Sequence, residues 1–282
     1  MEEGRLTNLR TLIVGGCPSL TTLSLSIKHL TALENLIIED CEELSLTDNE
    51  ENQDLKLSLR LLKFDNLTKL EVLPQQEATT QLEKLSKVQT IIFKTEQFAS
   101  LFEASITRFK YLRVLDLSKS SFKVLPSSIG SLKHLRYVNL SSNDIIKQLL
   151  DSICKLHSLQ TLLLGGCSNL ERLPKGIRDI ISFRFLVVTT KHTCLSEKAV
   201  GCLDSLQSLW MYECENLKCV LEGMEEGRLT NLRTLGVAEC PSLTSLSLSI
   251  KHLIALGNLI IWYCEELSLT DKEENQDLKL SL

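Results

Sequence analysis

The sequence predicts an α/β repeat solenoid, a curved stack of similar units with a concave parallel β-sheet and an irregular or short-helical convex side. Three observations predict it. A motif LxxLxLxx, followed by Cys, Asn or Ser, recurs with steps of 23 to 26 residues from Val88 onward. The fourth and sixth motif residues are apolar, whereas the residue between them varies. At a larger scale, residues 1–59 recur as residues 224–282, with 50 of 59 positions identical.

Each motif predicts one short strand, because inward apolar residues alternate with outward residues in a strand that is buried on one face. Leu115 and Leu117 illustrate the inward positions, and we expect the fifth residue, which lies between them, to be exposed. The step lies within the range of about 20 to 29 residues that is typical of leucine-rich repeats, so the sequence predicts a leucine-rich-repeat horseshoe. The first motif residue, or its substitute, is Leu9, Leu33, Leu59, Val88, Leu112, Leu135, Leu159, Phe183, Leu206, Leu232 or Leu256.

We predict that the segments between the motifs form the convex side of the solenoid. Ile129, Ile153 and Ile177 recur at intervals of 24 residues within segments such as LPSSIGSL. We expect these three side chains to close the rear of the core.

A polar segment divides the predicted repeats. The step from Leu59 to Val88 stretches to 29 residues, and polar residues replace the apolar residues expected at the rear of the core. The predicted organisation has three parts: leucine-rich repeats at 1–73, a block duplicated at 224–282; a polar seam at 74–86; and leucine-rich repeats at 87–282.

Composition and motifs argue against several classes of function. The formal net charge is -5 and the 31 Lys and Arg residues are dispersed, so we expect no nucleic-acid partner. The apolar segment 253–264 is too short to span a membrane. The opening MEEGRLTNLR lacks a signal-peptide pattern, so we expect a cytoplasmic location in which the ten cysteines are free thiols. The sequence contains no phosphate-binding loop, dinucleotide fingerprint, nucleophile elbow or HExxH, and we predict no catalytic residue and no cofactor.

The cysteines follow the repeat. Six occupy the ninth motif position, where Ser120 and Asn143 stand in other units: Cys17, Cys41, Cys167, Cys214, Cys240 and Cys264. A small donor there can bond to the carbonyl groups of the turn after the strand, which predicts a structural role. The other four form no CxxC pair, so we predict no metal site; they are Cys154, Cys194, Cys202 and Cys219.

The two copies differ most on the face predicted to be concave. Of their nine differences, five fall at the fifth, seventh or eighth motif residue: Ile13/Gly236, Gly15/Ala238, Gly16/Glu239, Glu39/Trp262 and Asp40/Tyr263. Relaxed constraint on an outward face is one explanation. Contact with a partner is the other, and the change from two acids to two aromatics favours it because exposed aromatics are a solubility liability unless they are used.

Both tryptophans of the chain fall on this predicted face. The fifth-position residues also change from polar to apolar along the chain, beginning with Asp116 and Asn139. An apolar stripe with aromatic anchors and nearby acids is typical of a protein-binding surface. The predicted partner-binding residues are Leu163, Val187, Trp210, Tyr212, Glu213, Glu239, Ile260, Trp262 and Tyr263.

Residues 109–190 resemble the early repeats of plant nucleotide-binding leucine-rich-repeat (NBS-LRR) disease-resistance proteins of the coiled-coil class. The phrases LRVLDLS, LPSSIGSLKHLRY, SICKLHSLQTLLL and GCSNLERLPKGI carry the resemblance, and the later units with CPSL and CEEL are similar to later repeats. The resemblance implies the sensor portion of an intracellular plant immune receptor. Its implied partners are a pathogen effector or a guarded host protein, and a nucleotide-binding switch domain where the parent chain has one. It assigns no nucleotide site to any residue of this sequence.

Two other interpretations stay open. A generic intracellular repeat adaptor, such as the substrate-reading part of a ubiquitin ligase, has similar repeats, although this sequence contains no F-box. A receptor ectodomain would explain the glycosylation sequons at Asn66 and Asn139. However, Asn139 falls within a predicted strand, and the sequence has neither a signal-peptide pattern nor paired capping cysteines.

Overall fold

The computed structural model describes residues 6–22, 30–44, 59–69, 87–94, 106–120, 122–195, 200 and 203–267. In these ranges the chain winds as a solenoid, and its main sheet has 11 strands ordered as in the sequence. The strands are β1 (Thr11–Gly15), β2 (Asn35–Glu39), β3 (Leu61–Asp65), β4 (Thr90–Lys94), β5 (Val114–Asp116), β6 (Tyr137–Asn139), β7 (Thr161–Leu164), β8 (Phe185–Val188), β9 (Cys194–Leu195), β10 (Ser208–Tyr212), β11 (Cys219–Val220), β12 (Thr234–Ala238) and β13 (Asn258–Trp262). Among the strands of the described residues, β9 and β11 lie outside the main sheet, as a separate parallel pair.

Neighbouring strands of the main sheet are parallel and stay in the register of the repeat. Leu115 faces Val138, and Val138 faces Leu162, so equivalent motif positions form rows across the sheet. The sheet is continuous from β3 to β4, where Leu62 faces Ile91. The predicted polar seam at 74–86 falls between these strands, outside the described residues.

The inward motif residues form the core, as predicted. Leu115, Leu117, Leu162 and Leu164 are fully buried. In β1 and β13, which pair on one side only within the described sheet, the equivalent residues are half-buried. The fold class predicted from the repeat is therefore confirmed.

The fifth motif residues differ from expectation. We predicted them to be exposed, but in most repeats they are half-buried, as at Asp116 and Trp210, and Gly236 is buried. Neighbouring strands lie about 4.8 Å apart, and equivalent side chains on one face of a parallel sheet therefore shield one another. The fifth motif residues on the concave side are therefore mostly half-buried instead of fully exposed.

Short 3-10 helices lie on the convex side, opposite the sheet. Ile129, Ile153 and Ile177 each lie within one of these helices and are buried, which confirms their predicted place at the rear of the core. The described helices are Ile106–Arg108, Ser127–Ser131, Asp151–Lys155, Lys175–Asp179 and Leu248–His252.

The ninth motif residues satisfy the turns that follow the strands. Asn143 donates from Nδ2 to the carbonyls of Leu117 (2.8 Å) and Leu140 (2.7 Å), and its Oδ1 accepts from the Ser120 amide at 3.1 Å. Cys167 donates from Sγ to the carbonyl of Leu140 at 3.0 Å. Burial raises the pKa of Cys167 to about 11, so this thiol stays protonated and remains a donor. The structural role predicted for the ninth-position cysteines is confirmed at this residue.

Within the described ranges, no helix has the length and apolar character needed to cross a membrane.

Candidate protein-binding surface

The structure places the predicted partner-binding residues on, or directly after, five adjacent strands, β7, β8, β10, β12 and β13. One row consists of the fifth motif residues, and a second row consists of seventh residues. In the first row, Leu163 faces Val187, Val187 faces Trp210, and Gly236 separates Trp210 from Ile260. In the second row, Ala238 separates Tyr212 from Trp262. We call the face formed by these two rows and by Glu213, Glu239 and Tyr263 the concave aromatic surface.

Trp210 is held against the neighbouring repeat. Its indole ring lies over Gly236, since a Cβ atom at Gly236 would stand 2.2 Å from Trp210 Cε3 and 2.3 Å from Cδ2. The indole Nε1 donates to Ser208 Oγ of the same strand at 3.1 Å. In the first copy this glycine is Ile13, whose side chain is 62% exposed. The exchange of Ile13 for Gly236 thus has a structural reason, because only glycine leaves room for the ring.

Tyr212 is fixed as a hydrogen-bond donor. Its hydroxyl donates to Glu239 Oε1 at 3.2 Å. Partial burial of the ring, together with the nearby carboxylates of Glu213 and Glu239, raises the pKa of Tyr212 to about 12. The hydroxyl is therefore protonated at neutral pH, and the carboxylate of Glu239 is held at the edge of the concave aromatic surface.

Thr189 hydrogen-bonds to the backbone of Tyr212, and the sequence analysis did not predict this contact. Its buried hydroxyl accepts from the amide of Gly166 at 2.7 Å and donates to the carbonyl of Tyr212 at 2.5 Å. The hydroxyl thereby links the repeats on either side of its own repeat. The sequence does show a Thr-Thr pair at the seventh and eighth motif positions. However, the repeat spacing does not distinguish a threonine hydroxyl that bridges two repeats from one that faces solvent.

Trp262 and Tyr263 are the most exposed aromatic residues described. Their side chains are 62% and 80% exposed. Tyr263 has φ 49°, and the eighth residue has positive φ in other repeats too, for example Asp40 at 50° and Glu239 at 56°. This conformation is uncommon for residues other than glycine and most unfavourable for bulky ones. A large ring therefore stands, exposed, at a position where a glycine or a small polar residue fits the backbone better.

The same positions in the first copy are engaged within the molecule. Glu39 accepts a hydrogen bond from Lys63 in the next repeat, and this bond raises the pKa of Lys63. Asp40 accepts from Asn66 Nδ2 through Oδ1 at 3.1 Å. The framework therefore accommodates an ion-paired acid or an exposed aromatic at the seventh motif position.

Fold and surface together define a class: a leucine-rich-repeat solenoid that presents aromatic side chains from its concave sheet. The chain belongs to the leucine-rich repeat family, since the family described as "Leucine-rich repeat region" matches residues 87–281.

The chain is similar to plant disease-resistance proteins, which confirms the predicted resemblance. "Disease resistance RPP13-like protein 4" of Arabidopsis thaliana is 30% identical over 209 residues, covering 71% of this chain and 21% of that protein. "Probable disease resistance RPP8-like protein 4" of the same plant is 31% identical over 166 residues, covering 57% and 18%. The chain thus spans about a fifth of the length of these relatives. Among solved structures, the leucine-rich repeat domain of the type III effector XopL matches with a TM-score of 0.47 at 18% identity, over 95% of this chain and 73% of that one.

Proposed function

We propose that this chain is the protein-recognition portion of a cytoplasmic plant immune receptor, without catalytic activity of its own. Its concave aromatic surface binds a pathogen effector or a guarded host protein, and the solenoid contacts a nucleotide-binding switch domain in the parent chain. Similarity to disease-resistance proteins supports the biological role. An 11-stranded parallel sheet supports binding of a folded protein, because solenoids of this kind offer extended concave surfaces.

The exposed pair Trp262 and Tyr263 carries the proposal. Monomeric proteins rarely leave large contiguous apolar patches in water, and such patches mark interaction sites. Here Trp262 ends the row that holds Tyr212, and Ile260 ends the row that holds Trp210. Tyr263 follows Trp262 directly in the chain. Aromatic residues dominate the energetic centres of protein interfaces, and polar residues surround them. Glu213 and Glu239 supply such a polar border.

The two copies provide the substitutions that test the proposal. Replacing Trp262-Tyr263 with Glu-Asp restores the residues that the first copy has at the same positions, Glu39 and Asp40. Because both aromatic side chains are exposed, the exchange should change the free energy of unfolding by no more than about 0.5 kcal/mol. Removing buried interface aromatics costs about 2 kcal/mol or more, so affinity for the partner should fall more than about tenfold.

A matched control comes from the same comparison. Ile254 is 81% exposed and replaces Thr31 of the first copy, but it lies outside the strands of the sheet. Ile254→Thr therefore removes a similarly exposed apolar side chain away from the concave aromatic surface. The measurement is binding of the full chain to a panel of purified pathogen effectors by biolayer interferometry, with thermal melts of each variant.

The expected pattern is retained binding in Ile254→Thr and lost binding in the double exchange, with equal melting temperatures. Equal affinity of wild type and double exchange for an effector that binds would contradict the proposal. A melting temperature that collapses in the double exchange would instead mean that the aromatic residues belong to the core.

A further inference from the structure

The separate strand pair β9 and β11 joins two cysteines that sequence reasoning treated as isolated. Cys194 and Cys219 face each other in register across these parallel strands. They lie 25 residues apart, one repeat, which is why no local motif shows the pair. Both cysteines are free thiols and are half-buried, so solvent can reach them.

A tight turn adds a carboxylate to this thiol pair. Leu221 and Gly223 both have positive φ, 56° and 70°, in the turn that follows β11. The turn brings Glu222 back to β11, where its Oε2 accepts from Cys219 Sγ at 3.2 Å. The two sulfur atoms and the carboxylate oxygen all lie within 4.8 Å of one another.

We propose that Cys194, Cys219 and Glu222 form a zinc-binding site beside the main sheet. The donor set fits this ion, since Zn²⁺ is bound by thiolate sulfur at about 2.3 Å and by carboxylate oxygen at about 2.0 to 2.2 Å. Tetrahedral coordination at these lengths separates ligand atoms by about 3.5 to 3.8 Å, and the three ligand atoms here lie within 4.8 Å of one another. Three protein ligands leave the fourth position open to water, and the exposed Glu222 gives the ion a path from solvent.

The chemistry of the donors favours zinc. Zinc binds cysteine as the thiolate and releases the proton, so its affinity for the cluster should rise with pH. Thiolates also favour zinc over magnesium and calcium, which prefer oxygen ligands.

Zinc titration of the reduced, chelator-treated full chain tests the site, with a chromogenic zinc chelator as competitor and Co²⁺ as a spectroscopic substitute. Wild type should bind one equivalent and show thiolate-to-cobalt charge-transfer absorption. Cys194→Ser and Cys219→Ser should each lose both signals. Loss of an outer-shell partner already weakens metal binding about 10- to 100-fold, so Glu222→Gln, which removes a ligand, should weaken it at least about tenfold.

Cys154→Ser is the matched control, because Cys154 is also half-buried and free but lies in another repeat, outside the cluster. It should bind zinc as wild type does, and zinc should raise the melting temperature of both. Unchanged binding in both cluster cysteine variants would overturn the proposal. So would a reduced chain that binds no zinc and only forms a Cys194–Cys219 disulfide on oxidation. Because Glu222 is exposed, Glu222→Gln tests the site even where a cysteine variant folds poorly.

Discussion

Restoring isoleucine at position 236 should displace Trp210 from the concave aromatic surface. Gly236→Ile introduces the residue that the first copy has there, Ile13. Its Cβ would stand 2.2 Å from Trp210 Cε3. Carbon atoms pack at about 3.5 to 4.0 Å, so the indole must move by roughly 1.5 Å or rotate away from β12. Rotation is available because the ring is half-buried on an open face.

The energetic cost is the difference between two effects. Uncovering roughly 80 Å² of apolar surface costs about 2 kcal/mol at about 25 cal/mol per Å². Replacing glycine with isoleucine in a strand stabilises the folded chain by about 1 kcal/mol, because glycine loses more backbone entropy on folding than isoleucine does. We therefore expect a net destabilisation of about 1 kcal/mol in the presence of Trp210. In a Trp210→Ala background the same substitution should stabilise the chain by about 1 kcal/mol, since the opposing contact is gone.

A double-mutant cycle with chemical denaturation measures this coupling, which should be about 2 kcal/mol. Fluorescence supplies the geometric readout: in a Trp262→Phe background Trp210 is the remaining tryptophan. Gly236→Ile should shift its emission to longer wavelength and increase quenching by acrylamide. If the substitution changes stability equally with and without Trp210, and the emission is unchanged, the indole does not rest on Gly236.

Two further predictions concern the scaffold. Asn143→Ala should destabilise the chain by about 3 kcal/mol in denaturant unfolding, because several buried backbone groups lose their hydrogen-bond partner at about 1 kcal/mol each. Asn143→Cys keeps a donor and should destabilise the chain clearly less. Equal destabilisation by the two substitutions would contradict the hydrogen-bonding role of Asn143. The hydrogen bond from Lys63 to Glu39 raises the pKa of Lys63 above its ordinary value of 10.5. The pair should therefore stabilise the folded chain fully below pH 10.5, and this contribution should be lost as pH rises through the folded-state pKa of Lys63. Lys63→Met should remove this pH dependence of the unfolding free energy at a cost of about 0.2 to 1 kcal/mol, as expected for a partly exposed pair.

The repeat explains why most of the fold was predictable. The spacing alone predicted inward residues such as Leu162, because the same two core positions, the fourth and sixth motif residues, recur in the strand of every unit. Contacts between units were not predictable in the same way. The fit of Trp210 on Gly236, the bridge through Thr189 and the pairing of Cys194 with Cys219 all join residues about one repeat apart. A period fixes which positions are neighbours, but the rotamers and local backbone turns decide whether the side chains meet.

These contacts also sharpen what divergence between the two copies means. The change from Ile13 to Gly236 is explained inside the molecule, since the second copy follows a strand that carries Trp210. Glu39 is likewise explained, since it precedes a strand that carries Lys63. Among the described residues, no such internal contact explains Trp262 and Tyr263, because both rings are largely exposed. Tyr263 also has a left-handed backbone conformation that is unfavourable for a bulky side chain. Contacts within the molecule account for Gly236 and Glu39, whereas our proposal assigns contact with another protein to the aromatic pair.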